Sequence, residues 1–140
     1  MVFLLINLSY SFASVIDSIN KKILSSFNKE FSNARDIKWE NKGNFFLATF
    51  FLNDEVLFAR YTTNGQLISL KRNIRSDKLP LLPSLNLKKN YKGYWISGLF
   101  EQSCYNQTTY YATLENADHK LVLKSVNNGN WKVYSKKGKR

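Results

Sequence analysis

The chain has 140 residues, 44% of them hydrophobic, which is the length of a single domain that buries its own core. Twenty-one Lys and Arg against ten Asp and Glu give a formal net charge of +11, which favours anionic partners. One histidine, one cysteine and six isolated glycines exclude an internal disulfide, a His–Cys metal site and a glycine-rich phosphate loop.

The N-terminal segment is apolar. The first sixteen residues contain no charged side chain, and the run from Val2 to Leu8 is too short to span a bilayer. Ser11-Phe12-Ala13 then offers small residues at the positions that a signal peptidase reads. We therefore predict a signal peptide at 1–13, although it lacks the usual basic start, and a mature chain from Ser14 that is periplasmic or secreted. The alternative is an apolar first strand or helix turn.

A helix and four strands are predicted next. Apolar residues spaced by three and four indicate an amphipathic helix that Ser32-Asn33 ends; they are Ile16, Ile19, Ile23, Phe27 and Phe31. Alternating strand patterns follow at 35–40, 45–52, 56–62 and 66–72. Asn53-Asp54 and Asn64-Gly65 predict two-residue hairpin turns between these strands. The partners would be Phe50 with Leu57, Tyr61 with Ile68, and Ala59 with Leu70.

The second half repeats this order. Ser76-Asp77-Lys78 and Pro80 predict a helix start, and Pro83 would confine the regular helix to 83–90. Its inward side chains are predicted to be Leu82, Leu85 and Tyr91. Strands follow at 94–102, 108–115, 120–126 and 130–135. The basic segment 136–140 is expected to be a frayed tail.

Residues 45–71 and 109–135 align without a gap, which predicts an internal repeat. Ala48-Thr49 falls over Ala112-Thr113, and Asn64-Gly65 falls over Asn128-Gly129. The predicted class is α+β, with one domain at 14–135 made of two repeats, 14–74 and 75–135. Each repeat would contribute a helix followed by antiparallel strands.

Strand alternation assigns the two faces of this sheet. One face is predicted to be the core, with Phe46, Ala48, Phe50, Leu57, Ala59, Tyr61, Ile68 and Leu70 in the first half and Tyr110, Ala112, Leu114, Leu121 and Leu123 in the second. The opposite face is too apolar for a solvated surface in its first half. We predict that it binds a protein partner or a second copy of the chain, through Phe45, Leu47, Phe51, Phe58 and Tyr111.

Basic residues interleaved with aromatic residues suggest a second kind of partner. Arg60, Lys71, Lys124 and Lys132 are candidates for binding an acidic polysaccharide or lipid headgroups. Nucleic acid is disfavoured as a partner because export is predicted. No integral membrane span is predicted.

Catalytic chemistry is weakly represented. Asp118-His119 could serve a catalytic triad or a metal, but its place in a predicted hairpin loop favours a solvated turn. The carboxylates are scattered at turns and strand ends, so no catalytic residue, metal ligand or cofactor site is predicted, and an enzyme is disfavoured. Cys104 is predicted to be buried rather than available for an intermolecular bond.

Several turn and cap segments together resemble one family. They are Phe31-Ser32-Asn33-Ala34, Ile37-Lys38-Trp39-Glu40, the Tyr61 to Leu67 turn, Leu79-Pro80, and Asn90-Tyr91-Lys92-Gly93-Tyr94. Their order resembles the PepSY-like, beta-lactamase-inhibitor-like (BLIP-like) family of exported Bacteroidetes proteins. The resemblance implies one curved antiparallel sheet with helices packed on one face, a periplasmic or surface location, and no enzymatic activity. The expected function is a protein-binding or inhibitor-like module that uses a sheet face; the alternative is a polyanion-binding envelope protein.

Overall fold

The computed structural model describes residues 19–139. The elements run helix, four strands, helix, four strands. The helices are α1 (Lys21–Glu30) and α2 (Leu81–Asn90), with a 3-10 turn at Ser76–Lys78 before α2. The strands are β1 (Arg35–Asn41), β2 (Phe45–Leu52), β3 (Glu55–Thr62), β4 (Leu67–Asn73), β5 (Trp95–Cys104), β6 (Gln107–Glu115), β7 (His119–Val126) and β8 (Lys132–Gly138). The predicted signal peptide, the Ser14 start and Ile16 lie outside the described residues.

All eight strands form one antiparallel sheet in the order β1 to β8, so each strand pairs with the next in sequence. The α+β class is confirmed. Asn53 and Asp54 both adopt a positive φ in the β2–β3 turn, and Phe50 pairs with Leu57 as predicted. Among residues 19–139, no helix has the length and apolar character that crossing a membrane requires.

The β3–β4 turn differs from the prediction. Ala59 pairs with Leu70, but a bulge then pairs Tyr61 with Leu67 rather than Ile68. Gly65 has a φ of +86°, and a Cβ there would lie 2.9 Å from the carbonyl carbon of Lys22. The turn therefore lies directly against the start of α1.

Helix α1 packs on the first half of the sheet. Ile23 and Phe27 are buried, and the Phe27 ring stands edge-on to Phe50, with centroids 4.9 Å apart. The N-terminus of α1 is capped by Asn20, whose side-chain oxygen accepts from the Ile23 amide at 3.0 Å. The predicted core residues Phe46, Ala48, Phe50, Leu57, Ala59 and Tyr61 are buried with them, and Leu70 packs partly buried against this cluster. Ile68 stays outside it because of the bulge.

Helix α2 presents a different face from the one predicted. Leu82 and Leu85 are 63% and 50% exposed, so their inward assignment is wrong, whereas Pro83 and Leu87 are buried. The helix begins at Leu81, which brings Pro83 into the first turn, where its missing N–H breaks no helical hydrogen bond. Trp131 fixes this end by donating from Nε1 to the Pro83 carbonyl at 2.8 Å. The sheet residues predicted to be buried here are buried beneath α2, together with Leu99, which was not predicted; the predicted ones are Tyr110, Ala112, Leu114, Leu121 and Leu123.

Both helices cover the same face of the sheet, which we call the helix face. Leu57, Arg72, Glu101, Tyr110 and Ser125 form one cross-strand row, and side chains in such a row share a face. Because Leu57 belongs to the α1 cluster and Tyr110 to the α2 cluster, the two clusters lie side by side. The opposite side of the sheet is the open face.

Three further predictions need correction. Lys136 and Lys137 lie in β8 and pair with β7, so they do not form a frayed tail. His119 starts β7 opposite Gly138 instead of lying in a loop. Cys104 ends β5 and is partly exposed rather than buried, because its row continues to Ser69 and Gln107 on the open face.

Candidate functional site

The open face brings together every residue that the sequence marked as a binding candidate. Register rows place Leu47 with Arg60, Phe58 with Lys71, and Tyr111 with Lys124 and Lys132. Phe45 and Phe51 share this side with Leu47 because strand side chains alternate. The residues predicted for an apolar partner and those predicted for an anionic partner therefore form one surface.

On the first half of this face, cationic side chains lie over aromatic rings. The Arg60 guanidinium carbon is 4.0 Å from the centroid of the Phe45 ring. The Lys71 ammonium is 4.1 Å from the Phe100 centroid and 6.0 Å from that of Phe58. These are cation–π distances, so the aliphatic stems and charged ends cover rings that would otherwise meet water.

The same pattern continues across the second half. Lys124 lies 5.8 Å from the Tyr111 centroid and 5.9 Å from that of Tyr134, and the two rings meet edge-on. At the far end, Lys139 is 4.8 Å from the Trp95 ring. We call the set of Phe45, Phe58, Phe100, Tyr111 and Tyr134 with Arg60, Lys71 and Lys124 the aromatic–cation surface.

This covering changes the argument for an obligatory partner. Phe45, Leu47 and Phe58 are half-buried by their neighbours within the chain, and Phe51 is 40% exposed. The sequence predicted that a partner must cover these side chains, but Arg60 already lies over the Phe45 ring and Lys71 lies near the Phe58 ring. A partner would meet a mixed surface of rings and charges rather than a bare apolar one.

The cations of the aromatic–cation surface differ from Arg72 on the helix face in their ion pairing. Within residues 19–139, Arg60, Lys71 and Lys124 form no ion pair. On the helix face, Arg72 contacts Glu101 at 2.9 Å and Glu55 at 3.2 Å, which raises the pKa of Arg72. The open face therefore carries three cations that no ion pair among the described residues neutralises.

Two carboxylates on the open face are already engaged. Glu40 lies 3.6 Å from Lys42, and Glu115 lies 3.0 Å from Lys139. The Ser97 hydroxyl, followed by Lys139, lowers the pKa of Glu115. Neither carboxylate is paired with a cation of the aromatic–cation surface.

A shallow hollow of about 320 Å³ opens in the first half of this surface. We call it the Arg60 hollow; it is lined by Phe45, Leu47, Phe58, Arg60, Ser69, Lys71 and Gln102. Its lining contains two cations, a hydroxyl and an amide, and no carboxylate. The Arg60 Nε is buried and has no hydrogen-bond partner within the described residues.

Sequence reasoning missed some residues of this surface. Phe100 was not selected, although it forms the shortest contact with Lys71. It lies on β5 opposite Asn73, and this β4–β5 register joins the two halves and has no hairpin turn to reveal it. Tyr134 lies at the β8 bulge, and Lys139 follows the end of β8 at Gly138, beyond the predicted strand 130–135.

A second apolar patch lies on the other side of the molecule. Leu81, Leu82 and Leu85 on α2 are exposed, with Ile96 nearby on β5. Within residues 19–139, no group of three or more His, Cys, Asp or Glu side chains is placed to hold a metal ion.

No protein-family model and no curated protein matches this sequence. Solved structures do match its fold. A BLIP-like protein from Bacteroides fragilis is 19% identical with a TM-score of 0.71, covering 85% of each chain. A DUF2874 family protein from Bacteroides uniformis is 12% identical with a TM-score of 0.74, and a candidate periplasmic protein from Bacteroides eggerthii is 11% identical with a TM-score of 0.75. Both comparisons cover 85% of this chain and 88% of the other. The chain therefore has the fold of the BLIP-like and DUF2874 proteins of Bacteroides.

Proposed function

We propose that this protein is an exported, non-enzymatic binding module whose open face docks a protein partner that presents acidic and apolar groups. One observation carries the proposal: the aromatic–cation surface has three cations that form no ion pair within residues 19–139, and each lies over at least one aromatic ring. Charge complementarity selects an acidic partner, and the rings provide contact area for apolar side chains. The likeness to a BLIP-like protein supports an inhibitor-like role.

We also propose a tandem repeat, 14–74 and 75–135, preceded by a signal peptide at 1–13. The alignment that places Asn64-Gly65 over Asn128-Gly129 also places β3 (Glu55–Thr62) over β7 (His119–Val126). This agreement of strand bounds supports the duplication. The apolar start of the chain and the candidate periplasmic neighbour support export.

The charged part of the proposal is tested with an acidic polypeptide as the probe. A copolymer of Glu and Tyr carries both kinds of group, and poly-glutamate carries the charge alone. We expect the copolymer to bind more tightly, and we expect binding of both to weaken as salt is raised from about 0.05 M to about 0.5 M, because exposed charges are screened.

Lys71→Gln combined with Lys124→Gln removes two charges from the aromatic–cation surface. We expect binding of the copolymer to weaken about tenfold, since each lost charge contact contributes roughly 0.5 to 1 kcal/mol. The matched control is Lys29→Gln with Lys89→Gln, which removes two charges from the exposed sides of the helices. Titration calorimetry compares the two. Equal weakening in both variants would mean that total charge, and not this face, governs binding.

The second candidate function is binding of an acidic polymer such as a polysaccharide or a lipid headgroup surface. The observation that favours it is the pairing of Lys132 with Lys124 across β7 and β8, which places two cations side by side. Dextran sulfate is the probe for this alternative. If dextran sulfate binds more tightly than the copolymer, and its affinity is unchanged when aromatic residues of the open face are replaced, the polymer-binding function replaces the docking function.

A further inference from the structure

We propose that the Arg60 hollow is a discrete site for one carboxylate attached to an apolar or aromatic group. This inference deepens the proposed docking function, because it names the group with which a protein partner would anchor itself. It also stands on features of the hollow itself: neutral hydrogen-bonding groups, aromatic walls, and, among the described residues, two cations without an ion pair and an N–H without a hydrogen-bond partner.

The lining has the composition that a small organic anion requires. Arg60 pairs with Ser69 across β3 and β4, and Lys71 is the next residue on the same side of β4. Diagonal neighbours of this kind lie within reach of a single bound group. A carboxylate between the two cations would be neutralised, and the Ser69 hydroxyl and the Gln102 amide could donate to its oxygens.

Arg60 adds a reason for the site to be occupied. Its Nε is buried without a partner, and an unsatisfied buried donor is costly, whereas the Nε–Nη edge of a guanidinium matches a carboxylate with two parallel hydrogen bonds. A small rotation of the guanidinium towards the hollow would let both N–H groups donate to one carboxylate. Binding would therefore relieve a defect of the free protein.

The apolar walls of the hollow indicate what the carboxylate of the ligand is attached to. Phe45, Leu47 and Phe58 line the hollow beside the cations. A bare inorganic ion would leave these side chains without contact, so a carboxylate on a short arm ending in an apolar group fits better. The opening is shallow, which suits the terminal part of a side chain rather than a whole folded element.

The test uses 3-phenylpropionate as the probe and follows the Arg60 Nε–Hε resonance by NMR in the full chain. We expect saturable binding with a Kd of about 1 mM, as is usual for a fragment of this size, and a large shift of the Arg60 resonance. The neutral amide, 3-phenylpropionamide, should cause no saturable shift. Shifts spread evenly over the lysine and arginine signals would overturn the inference.

Variants separate the hollow from general charge. Arg60→Gln and Lys71→Gln should each weaken binding at least fivefold, and Arg60→Lys should also weaken it, because an ammonium keeps the charge but lacks the guanidinium edge. Lys89→Gln removes the same charge from α2 and should leave the Kd within twofold. Thermal melting shows whether each variant is folded. Unchanged binding in folded Arg60→Gln would refute the site.

The two proposals can fail separately. If 3-phenylpropionate binds as expected but the Glu and Tyr copolymer does not, the hollow is a small-anion site and the docking function is wrong. If replacing Lys124 weakens copolymer binding while replacing Arg60 leaves 3-phenylpropionate binding unchanged, the docking function is retained. The group that anchors the partner then binds elsewhere on the open face.

Discussion

Single residues in this protein are constrained by what lies next to their backbone. Gly43 and Gly65 both have a φ near +87°, at +88° and +86°, which favours glycine in each turn. Their surroundings differ, because nothing lies within 4 Å of a Cβ at Gly43, whereas a Cβ at Gly65 would meet the Lys22 backbone at 2.9 Å. Alanine substitutions at these two glycines therefore separate the energetic cost of an unfavourable φ from the cost of a steric clash between the turn and α1.

We expect Gly65→Ala to lower the free energy of unfolding by about 3 kcal/mol, combining an unfavourable φ with overpacking against rigid backbone. Gly43→Ala should cost only about 1 kcal/mol, for the φ alone. Urea denaturation measures both. Equal losses would show that the turn does not press on the helix.

Tyr61 makes a second residue-scale prediction. Burial first, and then the Glu30 carboxylate that accepts from its hydroxyl at 3.2 Å, raise the pKa of Tyr61 above its ordinary value. The folded state holds this proton more tightly than the unfolded chain does. Stability from this source is therefore complete below a pH of about 10 and is lost as the pH rises further.

Tyr61→Phe should cost about 1 kcal/mol at pH 8, where it removes one hydrogen bond. Above a pH of about 10, the wild-type protein should lose stability faster than the variant, by up to about 1.4 kcal/mol per pH unit. Urea midpoints at several alkaline pH values decide this. Parallel curves for the two proteins would contradict the assignment.

At the scale of elements, hairpin chemistry and alternation were readable, and contacts between elements were not. Asn53-Asp54 predicted its hairpin because both residues tolerate a positive φ without help from the rest of the fold. The β3–β4 bulge was not predicted, and the turn beside it contacts the start of α1, which is distant in sequence. The predicted face of α2 was wrong because the helix offers leucines on both sides, and only the packing shows that Pro83 and Leu87 are the buried pair.

The binding face shows the same division. Phe45, Leu47, Phe58 and Tyr111 were placed on the open face from alternation alone, and the structure puts them there. The contacts of Arg60 with Phe45 and of Lys71 with Phe100 depend on side-chain direction and on the β4–β5 register. The spacing of residues along the chain reveals neither the side-chain direction nor the β4–β5 register.

The inner face of α2 can be tested directly. We expect Leu87→Ala to lower the free energy of unfolding by about 2 to 5 kcal/mol, because Leu87 lies on the buried side of α2. Leu85→Ala is the matched control, and it should change stability by no more than about 0.5 kcal/mol, since Leu85 is half exposed. A larger loss at Leu85 would restore the face that the sequence suggested.

For the whole molecule, the net charge of +11 and the two unlike faces work together. Arg72 on the helix face is paired with two carboxylates, whereas Arg60, Lys71 and Lys124 on the open face form no ion pair within residues 19–139. Copies of the chain repel one another through their net charge. We therefore favour an acidic partner over a second copy as the occupant of the open face.

Phe51→Thr combined with Phe58→Thr tests the aromatic contribution, since Thr keeps strand propensity while removing the rings. We expect binding of the Glu and Tyr copolymer to fall at least tenfold, because a large aromatic anchor is worth about 2 kcal/mol or more. Binding of poly-glutamate should change little. If the double variant unfolds, these side chains belong to the core, and the docking surface must be sought on the helix face.

The consecutive order of the strands also bears on how the chain reaches its native state. Within each half, every strand meets a partner across a short turn, whereas β4 and β5 are separated by α2. Short loops close at little entropic cost, and sequence-local pairing is associated with fast folding. We therefore expect each half to assemble from its own hairpins, with β4–β5 pairing as the late event. Disruption of that pairing would leave two unprotected sheet edges in the middle of the molecule, which is where aggregation would begin.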